Sequence, residues 1–155
     1  MNRTIQIGRK SERGQGFMEL AVSLVFLLIL FSAVVDLGWA FYTMTALRDV
    51  AQEGASYGAM CNNLTKVKDH LRKSASEPID MSLIPDADLG ICYMASGSTS
   101  CMANPASAVR GDMVRISLTY QHKIVTPFVG AFIGTQSYPL KVDVTDTVLA
   151  PTVCP

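Results

Sequence analysis

Residues 17–35, FMELAVSLVFLLILFSAVV, form an apolar run whose only ionisable group is Glu19. A helix over this run rises about 28 Å, close to the hydrocarbon thickness of a bilayer. Ahead of it stand Arg3, Arg9, Lys10 and Arg13 against one acid, Glu12. A basic flank stays on the cytoplasmic side, so the remainder of the chain is expected to be exported. A cleaved secretory signal has a shorter apolar core followed by a small-x-small site. Here the core leads into Val35-Asp36-Leu37, a poor cleavage site. The segment is therefore expected to stay as a single-pass anchor in the inner (cytoplasmic) membrane.

Glu19 is costly in such a segment. A carboxylate near the start of a span costs a few kcal/mol unless it lies at headgroup depth, finds a partner or stays protonated. Beyond the run, Leu37, Phe41, Met44, Leu47, Val50, Ala51 and Gly54 or Ala55 recur at threes and fours, an amphipathic helical period. No proline interrupts residues 15–60. The spacing predicts one unbroken helix, membrane-embedded at first and then an exposed stalk. Trp39 and Tyr42 fall where an interfacial aromatic belt belongs.

Three segments carry the resemblance to a known family. They are Gly14-Gln15-Gly16-Phe17-Met18-Glu19-Leu20, Asp36-Leu37-Gly38-Trp39-Ala40-Phe41-Tyr42, and Ala46 through Tyr57. With the apolar run they resemble the TadE-like minor pseudopilins of tight-adherence (Tad or Flp-type) pilus systems. The resemblance is specific over residues 13–60 and loose beyond. It implies a prepilin cut by a membrane prepilin peptidase after Gly14. Gln15 then becomes the new N-terminus and Glu19 the fifth residue of the mature chain. A cut after Gly16 would put Glu19 third, so the spacing favours Gly14. It further implies assembly contacts by Glu19, Asp36 and Gly38 in the membrane helix, with other pilins or pseudopilins and an assembly platform as partners. The chain then initiates or caps a pilus and is either kept in the membrane or incorporated in the fibre. The alternative is an unprocessed, signal-anchored binding module of the envelope. Two positions depart from the family: Trp39 stands where an arginine is common, and Leu20 where an aromatic is common.

The chain has 155 residues, which leaves room for one domain beyond the anchor. Residues 62–76 show Leu64, Val67, Leu71 and Ala75 at helical spacing, a short amphipathic helix ended by Glu77-Pro78. Residues 77–110 are rich in Ser, Pro, Asp, Gly and Ala and predict loop, with one short strand at Ile91–Met94. From Asp112 to Ile124, Val114, Ile116, Leu118 and Tyr120 alternate with polar residues. Gln136–Leu149 repeats the alternation with Tyr138, Leu140, Val142 and Val144, so two half-buried strands are expected. The connector between them, residues 125–134, is apolar and punctuated by glycine. Loop packing under the sheet, contact with a membrane and contact with a partner are its three readings. The fold class is α+β: a long N-terminal helix against a small antiparallel sheet, pilin-like in outline. The expected division is a leader at 1–14, the transmembrane and stalk helix at 15–60, and an exported domain at 61–155.

Cys61, Cys92, Cys101 and Cys154 all follow the anchor, and an exported position favours disulfides. Four cysteines allow three connectivities. Cys92 with Cys101 encloses a short loop, and Cys61 with Cys154 would then tie the stalk to the C-terminus. No CxxC pair is present and His70 and His122 are isolated, so no metal site is expected. Asp86 and Asp88 are expected to be solvated. Arg110-Gly111-Asp112 is ordinary turn chemistry. Thirteen basic residues balance 13 acidic ones, without the basic surplus of a nucleic-acid partner. No P-loop, HExxH or nucleophile elbow occurs. The chain is expected to be no enzyme and to need no cofactor.

Overall fold

The computed structural model describes residues 12–75, 77–126, 130–131, 134–149 and 154, with side chains from Gly14 onward. The leader residues 1–11, connector residues 127–129 and 132–133, and the tail around Cys154 lie outside the described residues. Helix α1 spans Glu12–Met60, 49 residues, and so already begins within the expected leader. Helix α2 covers Leu64–Ser74. Three strands follow: β1 Leu89–Met94, β2 Met113–Lys123 and β3 Ser137–Thr147. They form one antiparallel sheet in the order β1-β2-β3. The class is α+β, as the alternating strands and the long helical period predict.

At 1.5 Å per residue α1 is about 74 Å long, more than twice a bilayer's hydrocarbon thickness. Its two halves have different surroundings. Every side chain from Gly14 to Phe31 is exposed in the monomer. From Asp36 onward one face is buried, through Ala40, Thr43, Leu47, Val50, Ala51, Gly54, Ala55, Gly58 and Ala59. The buried face repeats at threes and fours, the spacing of a seam. It corrects the stalk face read from the sequence at its start: Leu37 and Phe41 are exposed, and Asp36, Ala40 and Thr43 lie inward instead. Leu37 and Phe41 continue the apolar surface of the span. Their side chains lie outside the protein core.

The sheet covers the stalk. Val114, Ile116 and Leu118 of β2 and Val142 of β3 point into the core with Leu47, Val50, Ala51 and Ala55. Ile116 sits between Ile91 of β1 and Val144 of β3. Helix α2 closes the other side with Val67 and Leu71. Its start is set by Asn63, whose side-chain oxygen accepts from the N–H groups of Thr65 and Lys66, a regular N-cap. Loop residues 77–110 hold β1 and three short 3-10 turns, two of them capped by Asp80 and Asn104.

The exposed end of α1 is tied down. The Tyr93 hydroxyl, buried on β1, donates toward the carbonyls of Gly58 and Cys61 at 3.0 and 2.8 Å. The Leu149 N–H, just past β3, donates to the Ala59 carbonyl at 2.9 Å. Carbonyls at a helix C-terminus have no partner within the helix, so these bonds meet a need that the fold creates. Burial pushes the Tyr93 phenol up to about 12.

Candidate functional site

Three of the expected site residues lie on the first exposed turns of α1. Gly14 and Gly16 have open space where a Cβ would stand. Glu19 is exposed among Phe17, Met18 and Leu20. Gln15 and Glu19 are four apart and share one face of the helix. Length and composition qualify α1 to cross a membrane, and the apolar window within it is bare of protein contacts. Among the described residues α1 alone has the length and composition of a membrane span, which fits a single-pass anchor. Leaving this apolar surface in water is costly, whereas lipid or neighbouring helices would cover it.

Asp36 stands at the other end of the apolar run. Only 8% of it is exposed. Its carboxylate accepts from the N–H of Val125 at 3.2 Å, the N–H of Thr126 at 3.4 Å and the Thr126 hydroxyl. Both residues lie just past β2, where the connector begins. A carboxylate held by backbone amides is a charge-assisted contact, stronger than a neutral one. Asp36 thus pins the end of the sheet to the helix at the edge of the apolar span, and needs no arginine partner to do so. The position of Trp39 explains the rest: it is half exposed, pairs with Tyr42 at 5.7 Å, and faces away from the sheet.

His122 and Tyr138 pair across β2 and β3 beside this carboxylate, with rings 5.2 Å apart. Burial holds the His122 imidazole below its ordinary range, while the negative charge of Asp36 pulls it the other way. Burial, with Asp36 adding to it, pushes the Tyr138 phenol up. Sequence reasoning singled out Asp36 but missed Thr126, His122 and Tyr138. The available signal for Thr126 was a lone hydroxyl opening an apolar connector. Gly38 does not join this cluster; it faces open space on the outer side of α1.

The cysteines form Cys61–Cys154 and Cys92–Cys101. The first joins the end of α1 to the chain's end, and the second closes the loop after β1. Asp86 is not merely solvated: it pairs with Arg72 and Lys68 of α2, and the Arg72 bond holds its carboxyl below the usual range. Asp112 is buried and accepts from the N–H groups of Val109 and Ser96, so the Arg-Gly-Asp triplet is a turn fixed by its own aspartate. Among the described residues no His, Cys, Asp or Glu group is placed to hold a metal ion.

No curated protein and no solved structure gives a match to this chain. Residues 14–56, the span and most of the stalk of α1, match the family model described as TadE-like protein.

Proposed function

We propose that this chain is a minor pseudopilin that helps initiate or cap a Tad-type pilus. The observation that carries the reading is the TadE-like match over α1, which begins at Gly14 and takes in Glu19. A prepilin peptidase cuts after Gly14 and leaves Gln15 as the N-terminus of a mature helix. The leader, residues 1–14, stays cytoplasmic in the inner membrane, and the domain from Cys61 onward is exported. The basic leader supports that orientation, and so do two disulfides on the far side of the span. Assembly runs through the bare apolar face of α1, which packs against the helices of other pilins or pseudopilins and of the assembly platform. Glu19 pairs there with the new α-amine of a neighbour. In a low dielectric such a pair offsets the desolvation of both charges and fixes the register of adjacent helices. The role is structural, without catalysis or a cofactor.

The test is the N-terminal mass of the protein extracted from native membranes. A chain that starts at Gln15 is expected; an intact N-terminus overturns processing and leaves an envelope-anchored module. Glu19→Ala is expected to insert normally and to impair pilus formation. Normal pili from that variant would sink the role given to the carboxylate.

A further inference from the structure

β2 is longer than one of its neighbours. β3 pairs with the whole of Met113–Lys123, while β1 reaches only from Met113 to Leu118. On the far side of Leu118 the line of β1 turns away into the 3-10 turn Asp86–Asp88. Thr119–Lys123, a stretch of about 16 Å, therefore has a strand on one side and none on the other. The phase of the hydrogen bonds shows which groups this leaves open. The Ile124 N–H donates to the Gln136 carbonyl and the Val148 N–H to the Asp112 carbonyl, both in step with the β2–β3 register. Antiparallel ladders alternate, so the even-numbered residues of β2 face β3. Gln121 and Lys123 turn their N–H and C=O groups the other way. Pro139, opposite Gln121, has no N–H, and this register asks none of it. No bond to those four groups forms among the described residues.

A cavity of about 210 Å³ opens along this gap, between Thr119–Gln121 of β2 and the loop before β1. It is smaller than the sites that hold small-molecule ligands and suits one long side chain. Its apolar wall is Leu83, Ile84 and Pro85, with Leu83 78% exposed. Tyr120 lines it from the strand, and two acids, Asp80 and Asp88, complete it. Asp80 spends Oδ1 on the N–H and hydroxyl of Ser82, while the Asp88 carboxylate has no partner among the described residues. The cations of α2 nearby, Arg72 and Lys68, are taken by Asp86. The outer edges of the sheet are guarded: the Met102 N–H covers the Tyr93 carbonyl of β1, and β3 carries Pro139, Lys141 and Asp143.

We propose that this gap docks a short extended segment of another polypeptide, which runs antiparallel to β2 in the line that β1 leaves and carries one lysine or arginine. Main-chain groups of the segment bond to Gln121 and Lys123, adding a strand to the sheet. The side chain opposite Tyr120 shares its side of the sheet and enters the cavity. Its apolar stem lies along Leu83, Ile84 and Pro85, and its cationic head meets Asp88 and Asp80. Those two acids set the charge of the partner, and an acidic side chain at the same place is repelled. The docking depends on the sheet and not on the pilus role.

A peptide, Thr-Val-Arg-Val-Thr-amide with fluorescein at its N-terminus, tests this by anisotropy against the full-length chain in detergent. Saturable binding is expected, about tenfold weaker when glutamate replaces the arginine or when Asp88→Asn removes the acid. Methylating both valine nitrogens, which face β2, should abolish it. Hydrogen–deuterium exchange at Gln121 and Lys123 should slow with the arginine peptide bound. Without peptide it should be the same in Asp88→Asn as in the native chain, which shows that the variant is folded. No binding, equal binding of the arginine and glutamate peptides, or binding indifferent to N-methylation overturns the proposal. A chain that self-associates and is separated by the peptide would give the gap to a second copy, and overturns the partner assigned here.

Discussion

Gly54 sits where α1 and α2 come closest, and adding one methyl there tests how firmly the stalk is packed. A Cβ on Gly54 would lie 2.2 Å from Leu71 Cδ2, 2.9 Å from its Cγ and 3.2 Å from its Cδ1. Leu71 is fully buried, so its side chain has no solvent to swing into. Overpacking of this kind costs about 1–3 kcal/mol, and the first two distances place it in the upper half of that range. Replacing glycine by alanine within a helix returns about 1 kcal/mol. The balance for Gly54→Ala is a loss of about 1–2 kcal/mol, which lowers the melting temperature of a domain this size by about 5–15 °C. The assay is near-ultraviolet circular dichroism of the detergent-solubilised chain on heating, which follows the domain around the sheet because the span stays helical in detergent. Leu71→Ala opens a cavity and is itself costly, by about 2–5 kcal/mol. In the double variant the new methyl occupies part of that cavity, so the two losses should fall short of their sum by about 1–2 kcal/mol. Gly38→Ala is the control, since nothing stands within 4 Å of its Cβ position. It should leave the melting temperature unchanged or raise it. An increase for Gly54→Ala equal to that for Gly38→Ala would refute the close approach of the two helices.

Asp36→Ala strips three donors of their acceptor and should cost about 2–4 kcal/mol; amide exchange at Val125 and Thr126 should speed up, and unchanged protection there would remove the pin. The two disulfides differ in the loop they close, 93 residues against 9 in sequence separation. On chain entropy, replacing Cys61 and Cys154 by alanine should cost about 4.5 kcal/mol and replacing Cys92 and Cys101 about 2.5, which denaturant titration would rank; the reverse order would refute the entropic account. His122 is held below its ordinary pKa, so between about pH 7 and 5 the unfolded chain takes up a proton that the folded chain refuses. Its contribution is present above the unfolded value and lost as pH falls, and melting temperatures across that window should drop less steeply in His122→Phe than in the native chain.

Strand alternation was legible because one face of the sheet is buried and a side-chain period of two marks it without help from distant residues. The length of α1 was legible for a similar reason, since an apolar run and an uninterrupted helical period are both local. The facing of the stalk was not. Leu37 and Phe41 look like core residues in sequence, because hydrophobicity does not distinguish a side chain that meets lipid from one that meets protein. Gly54 resembles any helical glycine until Leu71 is seen against it. The partners of Asp36 were hidden more deeply, being main-chain amides 89 and 90 residues away. Every residue except proline has such an amide, so no residue type announces it.

Asp36 shows why an acid at this position survives a neighbour that cannot pair with it. Buried carboxylates require donors, and the TadE-like resemblance offers an arginine where this chain has Trp39. Here the connector supplies them instead: two N–H groups and a hydroxyl from adjacent residues. The exchange has a mechanical consequence. An arginine one turn along would satisfy Asp36 within the helix and leave the sheet independent of it. Amides from the β2–β3 connector couple the carboxylate to the domain. Trp39 is thereby released to the outer face with Tyr42, where amphipathic rings suit the lipid–water boundary. The same helix turn thus fixes the sheet on one side and marks the membrane surface on the other. The pin at Asp36 and the ties at Gly58, Ala59 and Cys61 hold both ends of the stalk against the sheet, so the domain keeps a set orientation on the helix.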